Sequence, residues 1–405
     1  MTGPPLTAEP GGPEPGDPTP PAGDRSLATV AREWTRIGIT GFGGPPAHIA
    51  LLRQLVVGRM KWMDAREFED ANAACGLLPG PASTQLSIFC AYRVAGPAGA
   101  IVGGLGFIVP AVVLILALSL LFLAHAPPLW VRGAGAGAGT AVAAVAVQAA
   151  RGLIGPSRAR ARDDRRRSGR WLAYLAVGTA AAALIGPYLV LALLACGAAE
   201  LLVQQRPWPS AGRHHASFGM LLPASISTGG IGALAWTAFK VGALSFGGGF
   251  VIIPLMQADA VHTYHWMSNS QFLNAVALGQ ITPGPVVATV AAVGYAAHGI
   301  AGGVLAALVA FAPSFSFILL GGGRFERLRG NANARAFLDG AGPAAIGAIL
   351  GAAILLAAAL HETWQFAILA AAAIALLALR RGIVQTLLGA ALVGVIAALA
   401  GAPLP

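Results

Sequence analysis

From Ala260 to Gly323 the chain runs for 64 residues without an Asp, Glu, Lys or Arg. A helix needs about 20 apolar residues to cross a bilayer, so this stretch belongs inside a membrane. Two more charge-free runs lie between Arg93 and Arg132 and between Arg170 and Glu200. Only 10% of the 405 residues are charged and 56% are hydrophobic, whereas a soluble domain carries about 25% charged residues. So few charges cannot cover the surface of a soluble protein of this size. An outer-membrane barrel would alternate apolar and polar residues in short strands, which these runs do not do. The 54 glycines and 28 prolines sit within apolar runs, unlike those of disordered chains. The class that remains is an all-α polytopic membrane protein.

A self-comparison divides the chain. Shifted by 204 residues, Gly38, Phe42, Gly43 and Gly44 fall on Gly242, Phe246, Gly247 and Gly248. Trp62, Met63 and Phe68 fall on Trp266, Met267 and Phe272, and Pro79-Gly80-Pro81 falls on Pro283-Gly284-Pro285. Rare tryptophans and a Pro-Gly-Pro in register identify a tandem duplication. The expected organisation is a disordered Pro- and Gly-rich tail at 1–26, a first repeat at 27–205, a linker at 206–223 and a second repeat at 224–405. Each repeat is expected to open with a Gly-interrupted helix (27–52; 226–251). A pair of short helices around Pro-Gly-Pro follows (65–95; 269–297), and then four longer apolar segments.

Charge placement orients the repeats. The segment from Arg151 to Arg170 holds eight Arg and two Asp, and the first repeat also carries Arg53, Arg59, Lys61, Arg66 and Arg93. The second repeat is bare at the equivalent places and instead concentrates Arg324, Arg327, Arg329, Arg335, Arg380 and Arg381. Positive loops mark the cytoplasm, which explains the net charge of +10 without nucleic acid and sets the repeats in opposite orientations. If each Pro-Gly-Pro pair dips in and returns, each half crosses five times. About ten crossings, two inverted repeats and two Pro-Gly-Pro hairpins follow, an architecture of secondary transporters.

Pro-Gly-Pro breaks a helix and leaves backbone N–H groups unpaired. In lipid these must face protein, a cavity or a ligand. Ser83, Thr84 and Gln85 follow Pro81, and Thr289 follows Pro285. A half-helix N-terminus beside hydroxyls suits an anion; the alternative is a kink whose hydroxyls are satisfied locally. Gly80 and Gly284 centre the breaks, and Gly43, Gly44, Gly247 and Gly248 allow close backbone approach, although helix packing would also account for them. Lys240 lies in an apolar run and aligns with Arg36, so two related cations are expected to attract the anion, with snorkelling as the alternative. His48 is the candidate proton carrier or a packed histidine. Asp259 reads as water-facing, with proton carriage as its alternative, and Glu67 as a helix cap, because Asp64-x-x-Glu67 has capping-box spacing that Ser268-x-x-Gln271 repeats. The expected substrate set is therefore Arg36, Gly43, Gly44, His48, Gly80, Ser83, Thr84, Gln85, Lys240, Gly247, Gly248, Gly284 and Thr289. Neither Lys follows a Gly-rich loop, so ATP-driven transport is unsupported. No acid, His or Cys constellation suggests an enzyme, a metal or a cofactor, and Cys75, Cys90 and Cys196 read as small core residues.

These motifs carry a resemblance. Phe42-Gly43-Gly44-Pro45 with His48, Trp62, Phe68, Leu77 through Leu86 around Pro-Gly-Pro, Tyr92 and Gly96 occur in the first half. Phe246 through Gly249, Pro254, Trp266, Phe272, Gln280 through Pro285, Gly294-Tyr295, Gly299 and Pro313-Ser314-Phe315 occur in the second. Over nearly all of residues 36–402 the chain resembles the two-domain form of the CHR family of chromate ion transporters. The resemblance implies export of chromate across a bacterial inner membrane and chromate resistance. Its partners are then the lipid bilayer and a chromate- or sulfate-like oxyanion, with a coupled proton as an option. A sulfate transporter and a passive anion channel are the rival readings. Oligomeric state is not legible in the chain.

Overall fold

The computed structural model describes residues 24–76, 78–124, 126–159, 161–162, 164–185, 188–204, 229–245, 249–321 and 331–404. The expected tail, except residues 24–26, and the 206–223 linker lie outside the described residues. Among the described residues there is no strand, and each half builds seven α-helices. The first half has α1 (Leu27–Thr40), α2 (Pro45–Arg53), α3 (Ala65–Cys75), α4 (Ala82–Phe122), α5 (Leu129–Ala159), α6 (Arg165–Leu184) and α7 (Leu189–Gln204). The second has α8 (Ile231–Leu244), α9 (Ile252–Gln257), α10 (Asn269–Ile281), α11 (Val290–Gly321), α12 (Ala332–Ala358), α13 (Thr363–Ala373) and α14 (Ile383–Leu399). α2 and α9 each continue into a π-helical turn, Gln54–Arg59 and Ala258–Thr263. The helical regions of α4, α5, α11 and α12 are long and apolar enough to span a bilayer, and four shorter apolar helices accompany them.

Polar residues start the helices as their chemistry requires. Ser26, Asp64, Asp164, Ser268 and Asn331 each accept a first-turn backbone N–H. Ser268 and Gln271 complete a capping box. Glu67 does not, which corrects the expectation for it: Asp64 accepts the Glu67 N–H at 2.7 Å, but the Glu67 carboxylate pairs with Arg93. A guanidinium offers a carboxylate a stronger, charge-assisted bond than a backbone amide does.

That pair also shows how the Pro-Gly-Pro hairpin is built. Glu67 begins α3 and Arg93 ends the first limb of α4, so both limbs of the hairpin have their outer ends at one face. α4 is 41 residues long, about 60 Å if straight. It breaks at Ala95 and at Gly96, whose φ of 64° and ψ of −157° only glycine adopts readily. Beyond the break, Gly99 and Gly103 return to lie against Ala91. In one straight helix those residues would be about 12 and 18 Å apart, so the limbs fold back on each other. α11 repeats the corner at His298 and Gly299 with nearly identical dihedrals, and Gly302 returns to Gly294. From proline to corner the second copy is one residue shorter (Pro285 to Gly299 against Pro81 to Gly96), and its limb starts with a 3₁₀ turn, Val286–Thr289.

The two halves are interlocked. α5 packs on α13 and α14, while its equivalent, α12, packs on α6 and α7. Lipid supplies little hydrophobic drive between helices, so close approach of small residues replaces it. Gly133 and Gly137 lie against Gly394 and Ala390, Gly178 lies against the Ala344 carbonyl, and Gly347 lies against the Leu175 carbonyl. Much of the glycine excess sits at these exchanged contacts.

Contacts at helix ends give the directions. Trp171 at the start of α6 donates to Ser157 near the end of α5 (2.9 Å). Arg170 pairs with Glu200 near the end of α7 (2.7 Å), and Cys196 abuts Gly340 near the start of α12. At the opposite face the starts of α5, α10 and α13 meet around one cavity. α5 therefore ends at the face where α12 begins, and the repeats are inverted. Arg151 donates to the Leu377 carbonyl (3.0 Å), which brings the π-helical turn after α13, Ile374–Ala378, to the arginine-bearing end of α5.

A Cβ at Gly178 would overlap the Ala344 carbonyl, whereas Gly152 faces open space. Gly178→Leu should lower the melting temperature in detergent by an amount equivalent to about 1–3 kcal/mol or more. Gly152→Leu should leave it within experimental scatter.

Candidate functional site

Each Pro-Gly-Pro break meets the first helix of the other half. Gly80 and Gly284 hold φ values of 114° and 95°, a left-handed backbone that a side chain would strain. The Gly284 N–H donates to the Gly41 carbonyl at 3.0 Å, just past the end of α1. Reciprocally, a Cβ on Gly80 would lie 3.2 Å from the Gly242 carbonyl on α8 and 2.7 Å from Gln85 Nε2. The break in each repeat is thus seated on the Gly-interrupted helix of its partner repeat.

His48 joins these parts. It is fully buried on α2, with Phe107 edge-on at 5.0 Å. Its Nε2 lies 2.9 Å from the Gly41 carbonyl. A carbonyl only accepts, so Nε2 carries the hydrogen. Nδ1 then faces Ser83 Oγ at 3.4 Å, at the start of α4. The Gly41 carbonyl accepts from both His48 and Gly284, so one oxygen links the α1 break, the first hairpin and the second.

The start of α4 carries unmet polar chemistry. Pro81 is its N-cap and no side chain caps it. Ser83, Thr84 and Gln85 are buried there. Gln85 Nε2 donates to the Pro79 carbonyl at 2.7 Å, but Gln85 Oε1, Thr84 Oγ1 and Ser87 Oγ are buried without partners among the described residues. Each such group costs about 1–3 kcal/mol unless something else satisfies it. A ligand that accepts from hydroxyls and backbone N–H groups fits this place.

The second hairpin differs. Val286, Val287 and Ala288 stand where the first has Ala82, Ser83 and Thr84. Thr289 spends its hydroxyl on the Val286 carbonyl (2.7 Å) and packs on Gly279. Its expected place among the free hydroxyls is therefore corrected. Gly43 and Gly44 form the positive-φ turn before α2, and Gly43 is exposed rather than set against a hairpin. Gly247 and Gly248 lie outside the described residues.

The expected pair of free cations is also corrected. Arg36 is exposed on the outer side of α1, where it lines a shallow groove with Arg32 and Ile39. Lys240 Nζ lies 2.6 Å from Asp259 Oδ2, which also accepts from Thr237 Oγ1 at 2.7 Å. Asp259 is 3% exposed, so it does not face water. A lysine at this depth persists only with a counter-charge, and here its charge is spent on one. The first half places a related pair, Glu33 on α1 with Arg59 on the π turn, at the same corner with the signs exchanged. The acids and bases of these pairs are far apart in sequence, and a lone lysine in an apolar run gave no sign of its partner. Among the described residues no cluster of His, Cys, Asp or Glu could hold a metal, and all three cysteines are buried and unpaired.

Comparisons with known proteins agree with the motifs. The profile of the chromate transporter family matches residues 28–201 and 232–401. The chromate transport protein of Cupriavidus metallidurans is 30% identical over 383 residues, covering 92% of this chain and 93% of that protein. A probable chromate transport protein of Synechococcus elongatus is 29% identical, covering 85% of this chain and 88% of its own length. The chromate transport protein of Pseudomonas aeruginosa is 29% identical, covering 80% of this chain and 79% of its own. No solved structure matches the chain.

Removing one member of the Lys240–Asp259 pair leaves the other charge buried. Lys240→Ala should cost about 3–5 kcal/mol of stability, read as a lower melting temperature in detergent. The double variant Lys240→Ala with Asp259→Ala should recover much of that loss. Destabilisation of the double variant equal to the sum of the two single variants would show that the pair is not coupled.

Proposed function

The chain belongs to the chromate transporter family, and on that basis we propose that it is a secondary active transporter that exports chromate across the bacterial inner membrane and so confers resistance. Ten crossings fit the helices: α1 with α2, the second limb of α4, α5, α6 and α7, and their five equivalents. The observation that carries the site is the meeting of the two inverted breaks at the buried Gly41 carbonyl, between Gly284 and His48.

Chromate is a tetrahedral dianion. The uncapped start of α4 offers it backbone donors, the Ser83 and Thr84 hydroxyls and the positive end of the helix dipole. Sulfate has the same shape and charge, so it is expected to compete. Burial of His48, Ser83, Thr84 and Gln85 among the described residues favours alternating access over an open channel. Rocking of one repeat on the other changes the reciprocal contacts of Gly80 and Gly284 and opens the node to one face at a time. The interior of the cell is negative, so expelling a dianion gains about 4.6 kcal/mol per 100 mV. A coupled proton is assigned to His48 Nδ1. Protonation there places a cation between the hairpins and turns Ser83 from donor to acceptor.

The test is uptake of radiolabelled chromate into everted membrane vesicles. Saturable uptake inhibited by sulfate is the expected result; flux that never saturates indicates a channel and overturns the transporter reading. Gly80→Ala and Gly284→Ala should each reduce the rate at least about tenfold, through strain at positive φ and displacement of a neighbouring contact. His48→Gln should retain measurable flux but lose stimulation by an imposed pH gradient. Retained stimulation would remove His48 as the proton carrier.

A further inference from the structure

At the face opposite the arginine-rich loops, the starts of α5, α10 and α13 surround an open cavity of about 460 Å³. Arg132, Ser268, Ser270, Gln271, Asn274 and Gln365 supply its polar lining, and among the described residues no carboxylate lines it. Arg132 forms no ion pair among the described residues, and it is exposed to the cavity one turn into α5.

The two glutamines are oriented by their own helices. Gln271 Oε1 accepts the Ser268 N–H at 2.9 Å. Gln365 Oε1 accepts the N–H groups of both His361 and Glu362 at 3.1 Å. With each oxygen spent on the backbone, each amide has its NH₂ left over. Gln365 is only 2% exposed, and the two backbone N–H groups hold its Oε1 in place. Three helix N-termini add their partial positive charge to the same space. Glu362, the N-cap of α13, does not line the cavity.

The inverted repeat supplies an internal control. At the 204-residue shift, Ser268, Ser270, Gln271 and Asn274 stand where the first repeat has Asp64, Arg66, Glu67 and Asp70. Three acids on the cytoplasmic side are thus replaced by a hydroxyl and two amides of nearly the same shape. The outer copy has lost its carboxylates and kept hydrogen-bonding groups.

We propose that this cavity is an oxyanion-binding vestibule on the outer face, with Arg132 as its charge and the Gln271 and Gln365 amides as oriented donors. It rests on the oxyanion reading above and extends it, giving the cargo a site outside the buried node from which it is released. Donors and a single cation hold a dianion loosely in water-filled space, where a buried fixed charge would trap it.

The test does not require transport. Ala136→Cys places a thiol in the cavity lining, against native cysteines that are all buried. The purified full-length variant in proteoliposomes is treated with an anionic sulfonate thiol reagent and with a neutral one of similar size. The anionic reagent should react faster relative to the neutral one than it does with a free thiol, and millimolar sulfate should slow it. Adding Arg132→Gln should reduce the anionic rate about tenfold and leave the neutral rate unchanged. An unchanged ratio in the Arg132→Gln variant, or no slowing by sulfate, would overturn the vestibule. Sulfate protection in protein that moves no chromate would instead count against the transport reading while keeping the vestibule.

Discussion

A helix broken inside a bilayer must satisfy its freed backbone within the protein, because lipid offers no donors or acceptors. The rest of the structure depends on how two such breaks are satisfied. Each Pro-Gly-Pro turn lies against the Gly-interrupted helix of the opposite repeat, and the Gly41 carbonyl accepts from both Gly284 and His48. Neither repeat could close this arrangement alone. The halves are bound to each other at the place where their helices are weakest, which is also where a moving part is most useful.

The exchange of α5 and α12 between halves extends that dependence to the periphery. Glycines at the exchanged contacts bring backbones together where dispersion and shape, rather than the hydrophobic effect, hold helices. The sharp corners at Gly96 and Gly299 have a different cause, a dihedral pair that other residues resist. Glycine therefore serves two distinct physical needs in this fold, close approach and backbone freedom.

Pseudo-symmetry in the backbone is not matched by symmetry in chemistry. The first hairpin presents Ser83, Thr84 and Gln85, while the second presents valines and a threonine turned onto its own carbonyl. The ion pairs exchange sign between Glu33–Arg59, whose arginine is exposed, and the buried Lys240–Asp259. Duplication supplies a frame in which each copy then takes a different role, and transport between unlike compartments needs that difference.

Most of the architecture was legible from residue types and their order. Charge-free runs require membrane helices because buried charge is costly, and the 204-residue register with displaced arginines requires inversion because positive loops stay inside. The hairpins and the corner glycines follow from proline and glycine stereochemistry, which is local. Contacts between residues remote in the chain were not legible. Lys240 looks like a free cation in sequence, and only packing brings Asp259 to it; Glu67 looks like a cap, and only the folded limb brings Arg93 to it. Arg132 and Gln365 carried no signal because their cavity forms from three helix starts drawn from both repeats. The sequence by itself determined which segments enter the membrane, where they break and which way they run, since those depend on solvation and backbone sterics. The tertiary structure alone decided which polar groups are spent on each other and which remain for a ligand, because that depends on distances between helices from different halves.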